Sequence, residues 1–332
     1  MKILVTGGAG FVGSHYVRTL LDGRYPGFGH AHVTVLDKMT YTGNLANLEP
    51  VAVSPRFSFV RGDIGDAGLL ASLVPGYDVV INFAAESHVD PSITAPSAFV
   101  AGNVTQVQVL LQACLDAGVS RVVQVSTDKV YGSMTSGSWA EDAPLEPTSP
   151  YSAAKAGGDL AALAYARTHG LNVSITRCCN NYGPYQHPDR LVPMFVTNLM
   201  DGLEVPLYGD GLNVRGWVHV DDHCQGIQLV LEKGQPGCVY HINGDAEVSD
   251  ADLTQALLEH CGADWGMVAR VADRRGDDRR SSLDDSLLRL MGYAPQIPFS
   301  EGLKATVRWY QDNRRWWAPL KQPQPQGLGI VA

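Results

Sequence analysis

Residues 2–13 of the chain read KILVTGGAGFVG, a buried apolar run followed at once by a glycine-rich turn. The run Lys2–Thr6 predicts a buried strand, and a helical pattern begins near Ser14. The turn fits either GxxGxxG or GxGxxG, through Gly7, Gly8, Gly10 and Gly13. Glycines at these spacings permit a tight turn and let the backbone approach a pyrophosphate at a helix N-terminus. The stretch therefore predicts the first unit of a dinucleotide-binding fold.

The next predicted strands are short β-branched runs at 33–36, 57–60, 79–82 and 122–125. Asp37 ends the first, about two dozen residues beyond the turn, where a carboxylate binds both ribose hydroxyls and disfavours a 2′-phosphate. NAD is therefore preferred to NADP. Asp63 and Ile64 follow the second run, at a position suited to the adenine edge. The third run is followed by a segment whose small residues allow close passage of a cofactor, Phe83-Ala84-Ala85-Glu86-Ser87.

Strand and helix patterns alternate through about residue 125, which predicts a parallel sheet with right-handed crossovers. Later in the chain we predict a loop at Asn180-Asn181, and beyond it the pattern is irregular, with short elements punctuated by Pro193, Pro206, Gly209 and Gly211. We therefore predict a Rossmann-type doubly wound parallel sheet of the α/β class, with a smaller mixed α/β C-terminal substrate domain. The predicted NAD-binding domain spans residues 1–180. A mainly substrate-binding domain follows at 181–320, with some of its chain returning to the first core, and a flexible tail at 321–332 ends the chain.

Polar residues leave the fourth run at its carboxyl end, Ser126-Thr127-Asp128-Lys129, and an Ala-rich helix follows Pro150. Tyr151 and Lys155 lie one turn apart on that helix. A lysine ammonium beside a phenol lowers a pKa that starts near ~10. The phenolate can then take the proton of a substrate hydroxyl while hydride leaves the same carbon for a nicotinamide. The spacing alone also fits an exposed helical pair, and the glycine turn favours the catalytic interpretation.

Composition restricts the class of protein. The 332 residues are 45% hydrophobic and 18% charged, as in soluble globular proteins. A net charge of -9 without a basic cluster argues against nucleic-acid binding. We expect no signal peptide and no membrane span. The six cysteines lack Cys-x-x-Cys spacing and indicate reduced cytoplasmic thiols, with no metal site.

Several longer motifs accompany these features. They include Leu36-Asp37-Lys38 with Thr40-Tyr41 and Gly43-Asn44, Ala84-Ala85-Glu86-Ser87-His88-Val89-Asp90, Ser126-Thr127-Asp128, and Asn180-Asn181-Tyr182-Gly183-Pro184-Tyr185-Gln186. With them the chain, from residue 1 to about 320, resembles the extended short-chain dehydrogenase/reductase family that acts on nucleotide sugars. Within that family it resembles the dTDP-glucose 4,6-dehydratases, and the last motif is distinctive for the dehydratase branch.

The resemblance extends the predicted sites. The expected NAD contacts are Gly7, Gly10, Phe11, Val12, Gly13, Asp37, Lys38, Thr40, Asp63, Ile64, Phe83, Ala84, Ala85, Ser87, Tyr151, Lys155 and Asn181. The expected contacts with the sugar nucleotide are Ser87, Thr127, Asn180, Arg190, Leu191, Pro206, Tyr208, Arg215, Asn243, Arg274 and Asp277. Physically, an arginine suits a diphosphate by its charge and fork geometry, and a tyrosine can stack on a base.

The resemblance also implies a mechanism. Tyr151 is the base that oxidises C4 of the glucose, Lys155 tunes it and holds the nicotinamide ribose, and Thr127 hydrogen-bonds the C4 oxygen. Asp128 is the acid for the C6 hydroxyl. The dTDP-glucose enzymes usually place Glu next, as the C5 base, whereas this chain has Lys129. Only a neutral lysine can do that work, and the sequence leaves open which way the surrounding charges act on it.

Three other positions depart from the family pattern. Pro91 stands where Arg is usual, Gly216 where Asp is usual, and Asp277 where His is usual. The alternatives to dehydration of dTDP-glucose or a related nucleotide hexose are therefore a C4 epimerase or non-dehydrating C4 oxidoreductase, and a binding protein without turnover. By resemblance we also expect a cytoplasmic homodimer formed through helices at about 97–117 and 151–169.

Overall fold

The computed structural model describes residues 1–273, 276 and 278–321. Its strands are β1 (Lys2–Thr6), β2 (His32–Asp37), β3 (Phe57–Arg61), β4 (Val79–Asn82), β5 (Arg121–Thr127), β6 (Val173–Cys178), β7 (Asn180–Tyr182), β8 (Val205–Tyr208), β9 (Val214–His219), β10 (Val239–Ile242), β11 (Ala246–Ser249), β12 (Val268–Val271) and β13 (Arg280–Ser281). Its α-helices are α1 (Phe11–Leu21), α2 (Ala67–Leu73), α3 (Val89–Thr94), α4 (Pro96–Val100), α5 (Gln106–Asp116), α6 (Pro150–His169), α7 (Leu191–Met200), α8 (Val220–Lys233), α9 (Asp250–Cys261), α10 (Ser286–Leu290), α11 (Phe299–Asp312) and α12 (Arg314–Trp317). The tail predicted to be flexible lies, from residue 322 on, outside the described residues.

The main sheet has seven strands in the order β3-β2-β1-β4-β5-β6-β10. Every neighbouring pair in it is parallel. The order reverses between β1 and β4, and ligands of such sheets bind at the carboxyl ends of the strands beside that reversal. The predicted Rossmann-type doubly wound sheet is confirmed.

Two hydrophobic cores cover the two faces of this sheet. Alternate residues of β1 point to opposite faces, so Ile3 and Val5 pack with α1 and α8, whereas Leu4 packs with α2, α5 and α6. All three side chains are fully buried. Because both faces are covered, the strands are nearly continuous apolar runs until their carboxyl ends, where polar residues appear.

Two local predictions differ from the structure. The first helix begins at Phe11, three residues before the predicted start near Ser14, because Gly10 is extended and the chain turns helical directly after it. The segment from Asn180, predicted as a loop, is the short strand β7, which pairs in parallel with β9. Pairing with a strand far along the chain is a tertiary effect that the local sequence does not reveal.

The remaining strands form small sheets beside the main one. β9 pairs in parallel with β7 and β13 and antiparallel with β11, while β8 pairs in parallel with β12. β10 returns to the main sheet next to β6. A third core joins α7, α9 and α11 to the fully buried Trp317. The mixed C-terminal region is thus present, whereas the exact division at 180 and 320 stays a prediction.

The helical stretch Pro96–Asp116 comprises α4, a π-helical segment and α5. By length and composition it is the one described helix that meets the criteria for a membrane span, with a mean hydropathy of 1.3. Leu110 and Leu111 of α5 are buried in the core under the sheet, and Leu115 is half-buried. Core helices of α/β proteins have the same composition.

Candidate active site

A cavity of about 510 Å³ lies at the carboxyl edge of the main sheet and extends to the C-terminal region. Nearly all of the predicted contact residues line it: Gly7, Gly10, Phe11, Val12, Gly13, Asp37, Lys38, Thr40, Asp63, Ile64, Phe83, Ala84, Ala85, Ser87, Thr127, Lys129, Tyr151, Lys155, Asn180, Asn181, Arg190, Leu191, Pro206, Tyr208 and Arg215. The fold therefore gathers residues from distant parts of the sequence around one space.

The glycine turn at one end of the cavity leaves no room for side chains. A Cβ on Gly7, whose φ is +69°, would lie 2.5 Å from the backbone nitrogen of Ala84. A Cβ on Gly13 would lie 2.5 Å from the carbonyl oxygen of Gly7. Among the described residues, no side chain caps the N-terminus of α1. Its first-turn N–H groups and helix dipole therefore suit the pyrophosphate of a dinucleotide.

Asp37 at the end of β2 is positioned by the glycine turn. Its carboxylate accepts hydrogen bonds from the N–H of Ala9 (3.0 Å) and of Met39 (2.8 Å). Burial raises the pKa of Asp37, and these two hydrogen bonds oppose the change. The neighbouring Lys38 Nζ donates to Glu86 Oε1 at 2.6 Å. A carboxylate here fits two ribose hydroxyls and repels a 2′-phosphate, so the residues present fit NAD.

Tyr151 and Lys155 lie in the first turns of α6, which Ser149 caps by accepting a hydrogen bond from the N–H of Ser152. Lys155 Nζ donates to the Val125 carbonyl oxygen of β5 at 2.9 Å. Burial lowers the pKa of Lys155, partly offset by the charge of Asp159. The lysine is thus fixed between the helix and the sheet.

The pKa of Tyr151 is raised, chiefly by burial, while the charge of Arg190 and a hydrogen bond with Thr127 oppose the rise. The net direction is opposite to that predicted from the Tyr–Lys spacing. The physical reason is that burial disfavours the phenolate, and that Lys155 is directed to a backbone carbonyl.

The end of β5 carries three successive polar residues, Thr127, Asp128 and Lys129, whose side chains do not all face the cavity. Thr127 Oγ1 donates to Asp128 Oδ1 at 3.1 Å and accepts from the backbone N–H of Lys129 at 3.3 Å. Lys129 lines the cavity. Asp128 is 1% exposed and is not among the lining residues. Its Oδ2 atom has no hydrogen-bond partner in the described part of the chain. The predicted acid is therefore buried beside the cavity, next to two of its lining residues.

The far end of the cavity carries the predicted sugar-nucleotide residues. An Nη atom of Arg190 donates to Ser87 Oγ at 2.9 Å, joining the start of α7 to the end of β4. Arg215 of β9 lies 3.5 Å from Asp250 and is mostly buried. Pro206 and Tyr208 come from β8. Two arginines and a tyrosine at one end suit a diphosphate and a base.

Three of the predicted sugar-nucleotide contacts are not among the described residues that line the cavity. Asn243 does not line the cavity, and its Nδ2 donates to the Leu283 carbonyl at 3.1 Å. Arg274 and Asp277 lie outside the described residues. Asn243 lies behind Gly216, because a Cβ on that glycine would be 2.9 Å from Asn243 Oδ1. The departure at Gly216 thus goes with close packing of that glycine against Asn243.

Sequence reasoning missed a polar cluster at the cavity rim. The carboxylate oxygens of Asp189 lie 3.0 Å from His187 Nδ1 and 3.0 Å from His88 Nε2, and Tyr41 bonds His88 Nδ1 at 2.7 Å. Burial raises the pKa of Asp189, but its two histidine partners outweigh burial and hold it well below its usual range. His88, with φ of +117°, is in a conformation rare for a non-glycine residue. These residues lie within or beside the recognised family motifs, and those motifs were the sequence feature that could have indicated the cluster.

His223 was also missed. It lines the cavity and is 2% exposed, and neither ring nitrogen has a hydrogen-bond partner in the described residues. Burial lowers its pKa to about 3, so the ring is neutral. No motif or spacing distinguished this histidine, because it lies within the amphipathic helix α8.

Comparison with known proteins supports this description. Residues 4–306 match the family model described as GDP-mannose 4,6 dehydratase. Among relatives, the chain is 56% identical to a dTDP-glucose 4,6-dehydratase of Streptomyces antibioticus, covering 98% of this chain and 97% of the relative. It is 53% identical to one of Streptomyces niveus, covering 97% and 96%.

A solved structure gives the same result. The dTDP-glucose 4,6-dehydratase of Streptomyces venezuelae, crystallised with NAD and dTDP bound, superimposes with a TM-score of 0.95 at 61% identity. The match covers 97% of this chain and 100% of that one. The chain therefore belongs to the extended short-chain dehydrogenase/reductases, in the family described as GDP-mannose 4,6 dehydratase.

Proposed function

We propose that the protein is an NAD-dependent 4,6-dehydratase that converts dTDP-glucose to the 4-keto-6-deoxy sugar nucleotide. The observation that carries the proposal is the single cavity that joins a dinucleotide cradle, Tyr151 with Thr127, and an arginine-bearing far end. Relatives more than half identical over nearly the whole chain have this activity in their names.

The residues around the glycine turn and Asp37 would hold NAD, which when bound accepts hydride from C4 of the sugar and returns it to C6. Tyr151 removes the C4 hydroxyl proton as the C–H bond breaks, and Thr127 hydrogen-bonds the C4 oxygen. Lys155 orients the cofactor ribose, and the positive charge of Arg190 favours the phenolate. The raised pKa of Tyr151 makes this cation necessary.

Water then leaves from C5 and C6. The C4 ketone acidifies the C5 proton, which Lys129 removes, and the electron pair of the C5–H bond forms the C5–C6 double bond. The C6–O bond breaks, and hydroxide leaves with a proton from Asp128 as water. Lys129 returns its proton to C5 when hydride reaches C6. The proton that Tyr151 took from the C4 hydroxyl restores Asp128, so the net loss is one water.

The far end of the cavity supports recognition of a nucleoside diphosphate. Arg190 and Arg215 would neutralise the diphosphate, and Tyr208 would stack on the base. Of the two arginines, Arg215 is the more constrained, because it is held beside Asp250 and only 10% of its side chain is exposed. Removal of Arg215 should therefore weaken binding of every nucleotide sugar more than it changes the chemical steps.

A C4 epimerase is the second candidate. The burial of Asp128 favours it, because epimerisation needs Tyr151, Lys155 and NAD but no acid at C6. Mass spectrometry of the purified protein incubated with dTDP-glucose, and with UDP- and CDP-glucose in parallel, separates the two. A keto product lighter by one water supports the dehydratase, whereas an isomer of unchanged mass supports the epimerase.

We also propose a cytoplasmic homodimer that associates through α4–α5 and α6. Exposed apolar side chains on these helices support it, since Val100 is 51% and Leu160 57% exposed. Leu160→Glu should convert a dimer to a monomer in sedimentation velocity, because a charge would be buried at the interface. The matched control is Leu290→Glu, at a leucine 87% exposed elsewhere. A monomeric wild type, or a dimeric Leu160→Glu protein, would contradict this assembly.

A further inference from the structure

Lys129 has an acidic partner from a distant part of the chain. It lies in the 3-10 turn Asp128–Tyr131 after β5, whereas Asp278 lies just before β13. Lys129 Nζ is 3.4 Å from Asp278 Oδ2. The two side chains are only 14% and 3% exposed, so solvent screens the pair weakly. A carboxylate is thus placed beside the residue at which this chain departs from the pattern expected by resemblance to the dTDP-glucose enzymes.

Asp278 is itself held in place. Thr148 Oγ1 donates to Asp278 Oδ1 at 2.8 Å and lies 3.2 Å from the Gly276 carbonyl. Gly276 has φ of +71°, and a Cβ on it would be 2.9 Å from the Thr148 carbonyl oxygen. Thr148 directly precedes the cap of α6, the helix that carries Tyr151. The carboxylate is therefore fastened to the same scaffold as the C4 base.

The two side chains lie within ion-pair distance of each other, but they do not form an aligned hydrogen bond. Lys129 Nζ is buried and has no hydrogen-bond partner within the described residues, although the carboxylate is within ion-pair distance. Asp278 thus holds the amino group of Lys129 nearby by charge, but no hydrogen bond between them fixes the orientation of that group. Nζ stays available to a substrate at the cavity wall that Lys129 lines.

This geometry matters for the elimination step. Lys129 can take the C5 proton only in its neutral form, and positive charge then develops on Nζ. A fixed carboxylate stabilises that charge in the transition state, as an orienting carboxylate stabilises the charged form of a catalytic base. We propose that Asp278 is a positioning residue for water elimination, and that it lets a lysine occupy the place where the related dehydratases usually have glutamate. The inference rests on the proposed dehydratase activity.

The test compares holoenzyme variants in single turnover with dTDP-glucose. Three signals are followed: absorbance of the reduced cofactor for C4 oxidation, uptake of solvent deuterium at C5 for proton removal, and product mass for water loss. The variants are Asp278→Asn, Asp278→Glu, Lys129→Ala and the Asp278→Asn/Lys129→Ala double variant. The control is Asp210→Asn, which removes an exposed carboxylate paired with Arg279 outside the cavity. Thermal unfolding of each variant monitors folding.

Asp278→Asn should leave C4 oxidation within about threefold of wild type and slow C5 exchange and water loss by about tenfold or more. Reduced cofactor should therefore accumulate. Lys129→Ala should oxidise C4 without losing water, and the double variant should be no slower than Lys129→Ala, because both changes remove one function. Asp278→Glu should recover part of the elimination rate, and Asp210→Asn should behave as wild type.

Unchanged elimination in Asp278→Asn, an equal loss of both steps, or additive losses in the double variant would overturn the role of Asp278 while leaving the proposed function intact. Turnover to the deoxy product by Lys129→Ala would overturn the role of Lys129 and with it that of Asp278. Wild-type protein that reduces its cofactor but releases no water would instead overturn the proposed function, and this inference with it.

Discussion

The local setting of Tyr151 determines what the residue can do. The sequence placed it one turn before Lys155 on a helix, and the structure confirms that helix. Its surroundings could not be predicted, because Thr127 and Arg190 reach it from β5 and from the start of α7. Burial raises its pKa, so the phenolate needs a nearby cation at the moment of proton transfer.

Tyr151→Phe should nearly abolish hydride transfer, because it removes the phenol oxygen that takes the C4 hydroxyl proton. We expect the rate of cofactor reduction to fall by about 10² to 10⁴-fold, the usual contribution of a positioned base. Stopped-flow absorbance with dTDP-glucose measures it. Tyr165→Phe is the matched control, since Tyr165 lies on the same helix but bonds Gln112 near the surface. A Tyr151→Phe protein that reduces its cofactor at the wild-type rate would refute the assignment.

Other residues show where sequence reasoning stops. Asp128 adjoins two lining residues, yet its side chain is buried, because successive residues at a strand end point in different directions. Asn243 was expected at the substrate but bonds the Leu283 carbonyl. Family motifs identify positions along the chain, whereas the direction of each side chain depends on packing.

The strand–turn–helix unit from β1 to α1 could be predicted almost completely. A short apolar strand and closely spaced glycines allow few other local structures, and only the helix start differed, by three residues. β7 could not be predicted in the same way. Its three residues form a strand only through pairing with β9, and no local pattern encodes that contact.

Gly13→Ala should damage this unit. The new Cβ would lie 2.5 Å from the Gly7 carbonyl oxygen and 2.9 Å from Gly8 Cα, both backbone atoms that cannot move freely. We expect a loss of about 1 to 3 kcal/mol in the free energy of unfolding, typical of overpacking, and weaker NAD binding. Calorimetry measures both.

Gly68→Ala is the matched control, a glycine within helix α2 whose added Cβ would meet only Asp66 Oδ1, at 3.4 Å. It should be neutral or slightly stabilising, since alanine favours helix. Equal effects of the two substitutions would mean that the turn is not as tight as its geometry indicates.

At the scale of the whole molecule, the cavity exists because distant parts of the chain meet. The sequence indicated a Rossmann sheet through its alternating strand and helix patterns. Strand ends and family motifs indicated most of the residues that line the cavity. It gave no sign of the contact between Lys129 and Asp278, or of His223 in the wall. These depend on the packing of the C-terminal region against the sheet.

Buried neutral histidines should make stability depend on pH. Burial lowers the pKa of His223 to about 3 and those of His219 and His241 to about 4, from 6.5. Below pH 6.5 the unfolded chain binds protons that the folded chain does not, so the free energy of unfolding falls as the pH drops from about 6.5 toward 4. Each such histidine contributes a slope of up to about 1.4 kcal/mol per pH unit.

His223→Gln should therefore reduce the pH dependence of the free energy of unfolding by up to about 1.4 kcal/mol per pH unit. The substitution breaks no hydrogen bond of the described residues. Denaturant unfolding of wild type and variant at several values from about pH 7 to 5 measures it. Parallel curves for the two proteins would show that His223 binds protons in the folded state as readily as in the unfolded chain, and would contradict this prediction.

In the proposed reaction, hydride leaves C4 and returns to C6 of the same sugar within one cavity. The most direct measurement is the fate of deuterium in dTDP-glucose labelled at C4, incubated with purified holoenzyme without added cofactor and analysed by mass spectrometry and NMR. We predict a product lighter by one water that carries the deuterium at C6. Loss of the label to solvent, deuterium remaining at C4, or a product of unchanged mass would contradict the account.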